Sequence, residues 1–215
     1  MDYSDIAERI AKVVVSPETI TGLTRGAMSV PIDLGYLALS VFDTGNRWRM
    51  QTERIRLITA IRSGMLNHHQ IMRAIGIIID VFVSYIPKDM QDRVYRGMAS
   101  PVAGRVLTTG IIAATIANRV IAAGSAAFLS KTVAGSVGFI LTTGGLIEHC
   151  IYKSFELERK NVQVYYKLRQ AGNRDFLYFL LKPYLEPFIN ALSVRSRYGE
   201  GEFMKILQIL EHKAQ

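Results

Sequence analysis

The stretch that decides the fold is residues 102–152, VAGRVLTTGIIAATIANRVIAAGSAAFLSKTVAGSVGFILTTGGLIEHCIY, 51 residues with only four charges, Arg105, Arg119, Lys131 and Glu148. It is rich in Gly, Ala, Ser and Thr, and it divides near Ala123-Gly124-Ser125 into halves, 102–122 and 126–147, of about 21 and 22 residues. As helices rising 1.5 Å per residue, each half is roughly 32 Å long, close to the ~30 Å hydrocarbon thickness of a bilayer. Gly110, Ala114, Asn118, Ala122 and Ala126 recur every four positions, and Ala134, Gly138 and Thr142 repeat the spacing. Such stripes let helix backbones approach closely in lipid, where packing holds helices together. The same block also suits a buried helical hairpin in a bundle, because a helix apolar nearly all round belongs in a core or a membrane.

Arg119 and Lys131 lie 12 residues apart on either side of the proposed turn, so an inserted hairpin carries both near its tip. A charge left at mid-bilayer costs ~2.5 to 3.5 kcal/mol. Carrying both across an inside-negative membrane gains about 2.3 kcal/mol per charge per 100 mV, or ~4.6 in total. In the buried-hairpin reading the two groups are simply solvated at a loop. Asn118, Thr108, Thr109, Thr115, Ser130, Thr132, Ser136, Thr142 and Thr143 offer polar groups for a narrow aqueous path in an oligomer, or for bonds to their own helix backbone.

Outward from this block the chain reads as amphipathic helix. Ile6, Ile10, Val13 and Val14 fall at helical spacing, and Ser16-Pro17-Glu18 reads as a cap, an N1 proline and an early acid. Residues 31–42 form a short apolar helix stopped by Asp43-Thr44-Gly45-Asn46. Residues 47–64 place Trp48, Ile55, Ile58 and Ile61 on one side, with Arg47, Arg54 and Arg62 available for the other, a surface helix. Asn67 caps a helix over 71–86 that is apolar nearly all round apart from Asp80. A short polar helix over 88–98 follows, and Ser100-Pro101 starts the central block as helix. The block's second half runs without a clear stop to Gln170, before Gly172. Asn173 caps a helix bent or broken near Pro183 and Pro187, and a last helix covers about 202–213. No strand alternation is legible, so the expected fold is all-α: a multi-helix bundle of about 8 to 10 helices around the hairpin, one domain over 1–215.

Of 215 residues, 49% are hydrophobic and 20% charged, an apolar, charge-poor balance concentrated in the block. Residues 1–46 carry three basic and six acidic groups, 47–73 six Arg against Glu53, and 152–171 five basic and two acidic groups. The positive charge therefore flanks the block, which suits anionic lipid headgroups at about 1 kcal/mol per Lys or Arg. Arg47, Trp48, Arg49, Arg54, Arg56 and Arg62 form the expected lipid-docking set. Nucleic acid is a poor partner, with no helix-turn-helix spacing and no aromatic platform. Cys150 is alone, so no intramolecular disulfide supports the fold. Met1-Asp2-Tyr3-Ser4-Asp5 is acidic where a secretory signal needs a basic start, so no such signal is expected. His68, His69, His149 and His212 stand in no metal-ligand spacing, and Gly135-Ser136-Val137-Gly138 and Gly144-Gly145 lack the residues of a phosphate loop. No enzyme activity, cofactor or metal is expected.

A helical shell around a two-helix apolar hairpin resembles the pore-forming domains of colicin-like bacterial toxins and the helical regulators of programmed cell death. About 65 residues follow the hairpin here, whereas the colicin hairpin lies near the chain end. The Asn-Trp-Gly-Arg signature of the cell-death group is absent, since Trp48 stands between Arg47 and Arg49. The chain also resembles the ion-selective pore-forming effectors delivered between bacteria by type VI secretion. That resemblance implies a toxin held in the cytoplasm before delivery, then a target inner membrane that it depolarises, oligomerisation in that membrane, and an immunity protein or delivery chaperone as partner. Two other classes fit the same composition: a helical adaptor or chaperone-type interaction protein with the hairpin as permanent core, and a resident two-span membrane protein.

Overall fold

Ile6, Ile10 and Val13 recur at three- and four-residue intervals, and burial of that face holds Tyr3–Val15 as helix α1. The computed structural model describes residues 2–15, 45, 47–98, 109–120 and 138–212. After α1 come α2 (Arg47–Arg62), α3 (His68–Ser84), α4 (Lys88–Met98), α5 (Thr109–Val120), α6 (Gly138–Lys160) and α7 (Val162–Gln170). A 3-10 turn (Arg174–Leu177), α8 (Tyr178–Tyr198) and α9 (Glu200–His212) complete the described chain. There is no strand among the described residues, and the fold is an all-α multi-helix bundle. The Ser16-Pro17-Glu18 cap, the helix expected over 31–42, the Ser100-Pro101 cap and the hairpin turn at Ala123-Gly124-Ser125 lie outside the described residues.

Local chemistry explains where these helices start and stop. The Asn67 side chain accepts from the Gln70 amide at 2.8 Å, which satisfies one of the first-turn donors of α3, as its sequence predicts. Gly172 takes φ +105 after α7 and Asn173 takes φ +60, both in the left-handed region that ends helices. Three expectations are corrected in whole or in part. The long helix leading out of the central block does not run unbroken to Gln170: Asn161 is extended (φ −151, ψ 98), ends α6 and caps α7 by accepting from the Val164 amide at 3.0 Å. Of the bend or break expected at the prolines of the last long helix, the break does not occur, since α8 continues through both Pro183 and Pro187. Its start also differs, since Asn173 makes no side-chain cap and a 3-10 turn intervenes.

The core is built around α3 and α8. Ile71, Ala74, Ile75, Ile78, Ile79 and Phe82 of α3 are fully or almost fully buried, and α8 packs against α1, α3, α6 and α9. Phe82 meets Phe188 of α8 edge to face at 5.2 Å and Phe203 of α9 at 5.7 Å. α5, from the first half of the apolar block, lies along α3 with Ile112, Ile116 and Ala117 at 0% exposure. Where α4 crosses α9, Gly97 sits so close to the Leu210 carbonyl that a Cβ has no room.

Candidate functional site

α2 buries one ridge, Met50, Glu53, Leu57 and Ala60, against the rest of the bundle, where its neighbour is α6. The spacing 3, 4, 3 makes this a helical face, and the opposite face is left to solvent. There stand Trp48 at 80% exposure, Ile55 at 62% and Ile58 at 39%. Trp48, Ile55 and Arg62 recur every seven residues, so they share one line along the helix. Sequence periodicity grouped Trp48, Ile55, Ile58 and Ile61; the structure turns three of these four outward and leaves Ile61 half-buried against the core. Glu53, the one acid of α2, is turned inward.

The arginines of the expected docking set divide into two groups. Arg47, Arg49 and Arg62 are exposed. Arg49 pairs with Glu158 of α6 and lies 4.1 Å over the Phe155 ring. Arg54 donates to Glu148, a carboxylate 2% exposed, at 2.6 Å. Arg56 is the centre of a buried polar hub. Its Nη1 and Nη2 donate to the two oxygens of Asp175 at 2.7 and 2.6 Å, its Nε to Glu53 at 2.8 Å, and its guanidinium lies 3.8 Å over the Phe176 ring. Asp175 is fully buried and also accepts from the Ser154 hydroxyl at 2.6 Å. Arg169 of α7 donates to Glu53 at 3.0 Å and to the Tyr165 hydroxyl at 2.6 Å. Arg54 and Arg56 thus clamp α2 onto α6 and the 3-10 turn, with the fork geometry that guanidinium and carboxylate share.

A second charged cluster joins α6 to α8 and α1. Glu156 accepts from Lys153 at 2.8 Å and is bridged by Lys160 and Lys182, while Glu186 pairs with Lys160, Lys182 and Arg9. Burial alone pushes the Glu156 carboxyl up, but the three ammonium groups outweigh it and hold the acid at about 2.

The hairpin residues are placed as follows. Gly110 and Asn118 are exposed and Ala114 is half-buried, so in this bundle the four-residue stripe of α5 lies away from the ridge that packs on α3. Ala122, Ala134 and Lys131 lie outside the described residues; Gly138 opens α6 and Thr142 follows in it. Thr115 donates to the Ile111 carbonyl of its own helix at 2.8 Å. Arg119 is half-buried at the end of α5, where it reaches the Val13 and Val14 carbonyls, the latter at 3.2 Å. Those carbonyls close the last turn of α1, whose orphan acceptors and negative end favour a cation. Burial lowers the Arg119 pKa from its ordinary value. The solvated-loop expectation for this residue is therefore corrected: Arg119 latches α5 to α1.

Sequence reading missed the hub and the latch, because their members come from helices far apart in the chain. A legible signal existed only for the neighbouring Arg54 pair: Glu148 is a charge inside the apolar block and requires a partner, which Arg54 supplies. Among the described residues, no helix is long and apolar enough to cross a membrane, and no group of three or more His, Cys, Asp or Glu side chains is placed to hold a metal ion. No protein-family model, curated protein or solved structure matches the chain.

Proposed function

We propose that this protein acts on membranes, docking through the outer face of α2 and delivering the apolar block 102–152 to the bilayer as a pore-forming hairpin. The observation that carries the docking step is the exposure of Trp48, Ile55 and Ile58 on a helix whose outer face also carries the exposed Arg47 and Arg62, Arg49 being turned to Glu158 of α6. Tryptophan and arginine suit the membrane–water interface, the ring at headgroup level and the guanidinium on lipid phosphate. A solvent-facing apolar line on the face of α2 opposite its buried ridge has no packing role among the described residues. The hub supports the same reading, since it fixes α2 with this face outward.

The insertion step rests on the length and small-residue spacing of the block. Gly110, Ala114 and Asn118 lie off the packed ridge of α5, as residues reserved for helix contacts in lipid would. The finer reading is an antibacterial effector that reaches the target inner membrane, oligomerises there and depolarises it, with an immunity protein as its counterpart. A second reading, a helical interaction protein with permanent core, is favoured by the complete burial of Ile112 and Ile116 and by the Arg119 latch.

Flotation with anionic vesicles at low salt tests docking, and dye-reported potential in cells exporting the chain to the periplasm tests insertion. Wild-type protein is expected to float, and Trp48→Ser/Ile55→Ser to lose at least about tenfold in partitioning, since each side chain is worth ~1.5 to 3 kcal/mol when buried in apolar surroundings. Wild-type protein that stays at the bottom of the gradient, with normal membrane potential and growth, selects the interaction-protein reading.

A further inference from the structure

The joint between α6 and α7 opens a cavity of about 510 Å³ against the end of α8. Its charged lining is Arg159, Lys160, Arg195 and Arg197, with no carboxylate among the lining residues. Lys160 turns its ammonium away to Glu156 and Glu186. The three arginines have no acidic partner among the described residues. Arg197 spends one nitrogen on the Arg159 carbonyl at 3.3 Å. Arg195 lies 3.6 Å over the Tyr85 ring, and its Nε is buried without a hydrogen-bond partner. That ring is held in turn by a bond from the Tyr85 hydroxyl to Gln163 at 2.8 Å.

The plain explanation for basic residues here is that α6 and α8 both end at this place, where cations offset the negative helix ends. That accounts for three positive charges. It does not account for their convergence on one concavity with no acid in it, where the outer guanidinium nitrogens are left to seek acceptors. The start of α7 adds to the deficit of acceptors. Asn161 takes the Val164 amide, so the Val162 and Gln163 amides lack an intrahelical partner at the positive end of a nine-residue helix.

We infer that this cavity binds the phosphate group of a small organic phosphate. Guanidinium forks match phosphate oxygens in geometry and charge. The volume lies within the range of small-molecule sites and exceeds the needs of bare phosphate. Tyr85, Leu192 and the half-exposed Val162 give the organic portion an apolar wall. The phosphate can belong to a soluble metabolite or to a phospholipid headgroup, and the inference stands without the α2 docking reading.

Calorimetry of the full chain with inorganic pyrophosphate tests the soluble source, and flotation on phosphatidylglycerol against phosphatidylcholine vesicles tests the lipid source. The variants are Arg195→Gln and the exposed pair Arg159→Gln/Arg197→Gln, which leaves the core untouched. Saturable pyrophosphate binding that falls at least tenfold in the pair variant supports the soluble source. Phosphatidylglycerol flotation that falls tenfold in the pair variant, without pyrophosphate binding, supports the headgroup source; flotation lost in Trp48→Ser/Ile55→Ser instead belongs to α2. Wild-type protein that binds neither probe, or a pair variant that binds both as wild type does, overturns the inference.

Discussion

Replacing Arg56 with Met separates the two roles that an arginine of α2 can have, structural clamp and lipid contact. Arg56 is 13% exposed and Asp175 0% exposed, with two hydrogen bonds between them at 2.7 and 2.6 Å. Without the guanidinium, Asp175 keeps only the Ser154 hydroxyl within the hub, and its charge is stranded in the core. Breaking a buried pair by removing one member costs ~3 to 5 kcal/mol. That is a large share of the ~5 to 15 kcal/mol by which a domain is stable. Asp175→Asn is expected to cost less, because Arg56 then retains Glu53. The double variant is expected to be more stable than the two single costs added together, by at least about 1 kcal/mol of coupling. Urea unfolding followed by circular dichroism measures all four proteins. Vesicle flotation of Arg56→Met, under conditions where it remains folded, is expected to match wild type, since this side chain is turned into the hub. An Arg56→Met variant within about 1 kcal/mol of wild type, or single costs that simply add, refutes the clamp.

Two further outcomes follow from packing and titration. Gly97→Ala is expected to destabilise by at least about 1 to 3 kcal/mol, the cost of overpacking, because its methyl collides with the Leu210 backbone carbonyl at the α4–α9 crossing; a thermal midpoint equal to wild type contradicts that close approach. Glu156 is held at about 2 in the folded chain against 4.5 ordinarily, so its contribution is complete above pH ~4.5 and is lost as pH falls towards 2. The loss is about 3 kcal/mol at most for a shift of this size. Glu156→Gln is expected to flatten stability against pH in that window, and an unchanged slope would mean that the lysines do not hold this acid.

How much of this was legible in the sequence depends on the range of the forces involved. The Asn67 cap, the 88–98 helix, the Gly172 stop and the all-α class were readable because each depends on neighbours within a few residues. Asn161 carried the same kind of signal, but it sits in a charged helical pattern with no proline or glycine beside it, so its role as a break was hidden. Pro183 and Pro187 point the other way. An isolated helix is expected to break at them, yet here the buried Leu181, Leu185, Phe188 and Leu192 on either side hold α8 in place, so tertiary packing outweighs the local cost.

The orientation of α2 was the hardest feature to read, and Glu53 shows why. By periodicity, a helix buries its apolar residues and exposes its acid. Glu53 is nevertheless 3% exposed while Trp48 is 80% exposed, because Arg56 from its own helix and Arg169, 116 residues away, bring it inward. Once Glu53 faces the hub, the helical repeat sends Trp48, Ile55 and Ile58 outward; no local choice can reverse one without the other. The exposed apolar line is therefore tied to a buried ionic cluster assembled from four separate elements. If Glu53→Leu let the helix roll and bury Trp48, tryptophan fluorescence would shift to the blue and vesicle binding would fall together. If fluorescence shifted while binding persisted, docking would not reside on this face.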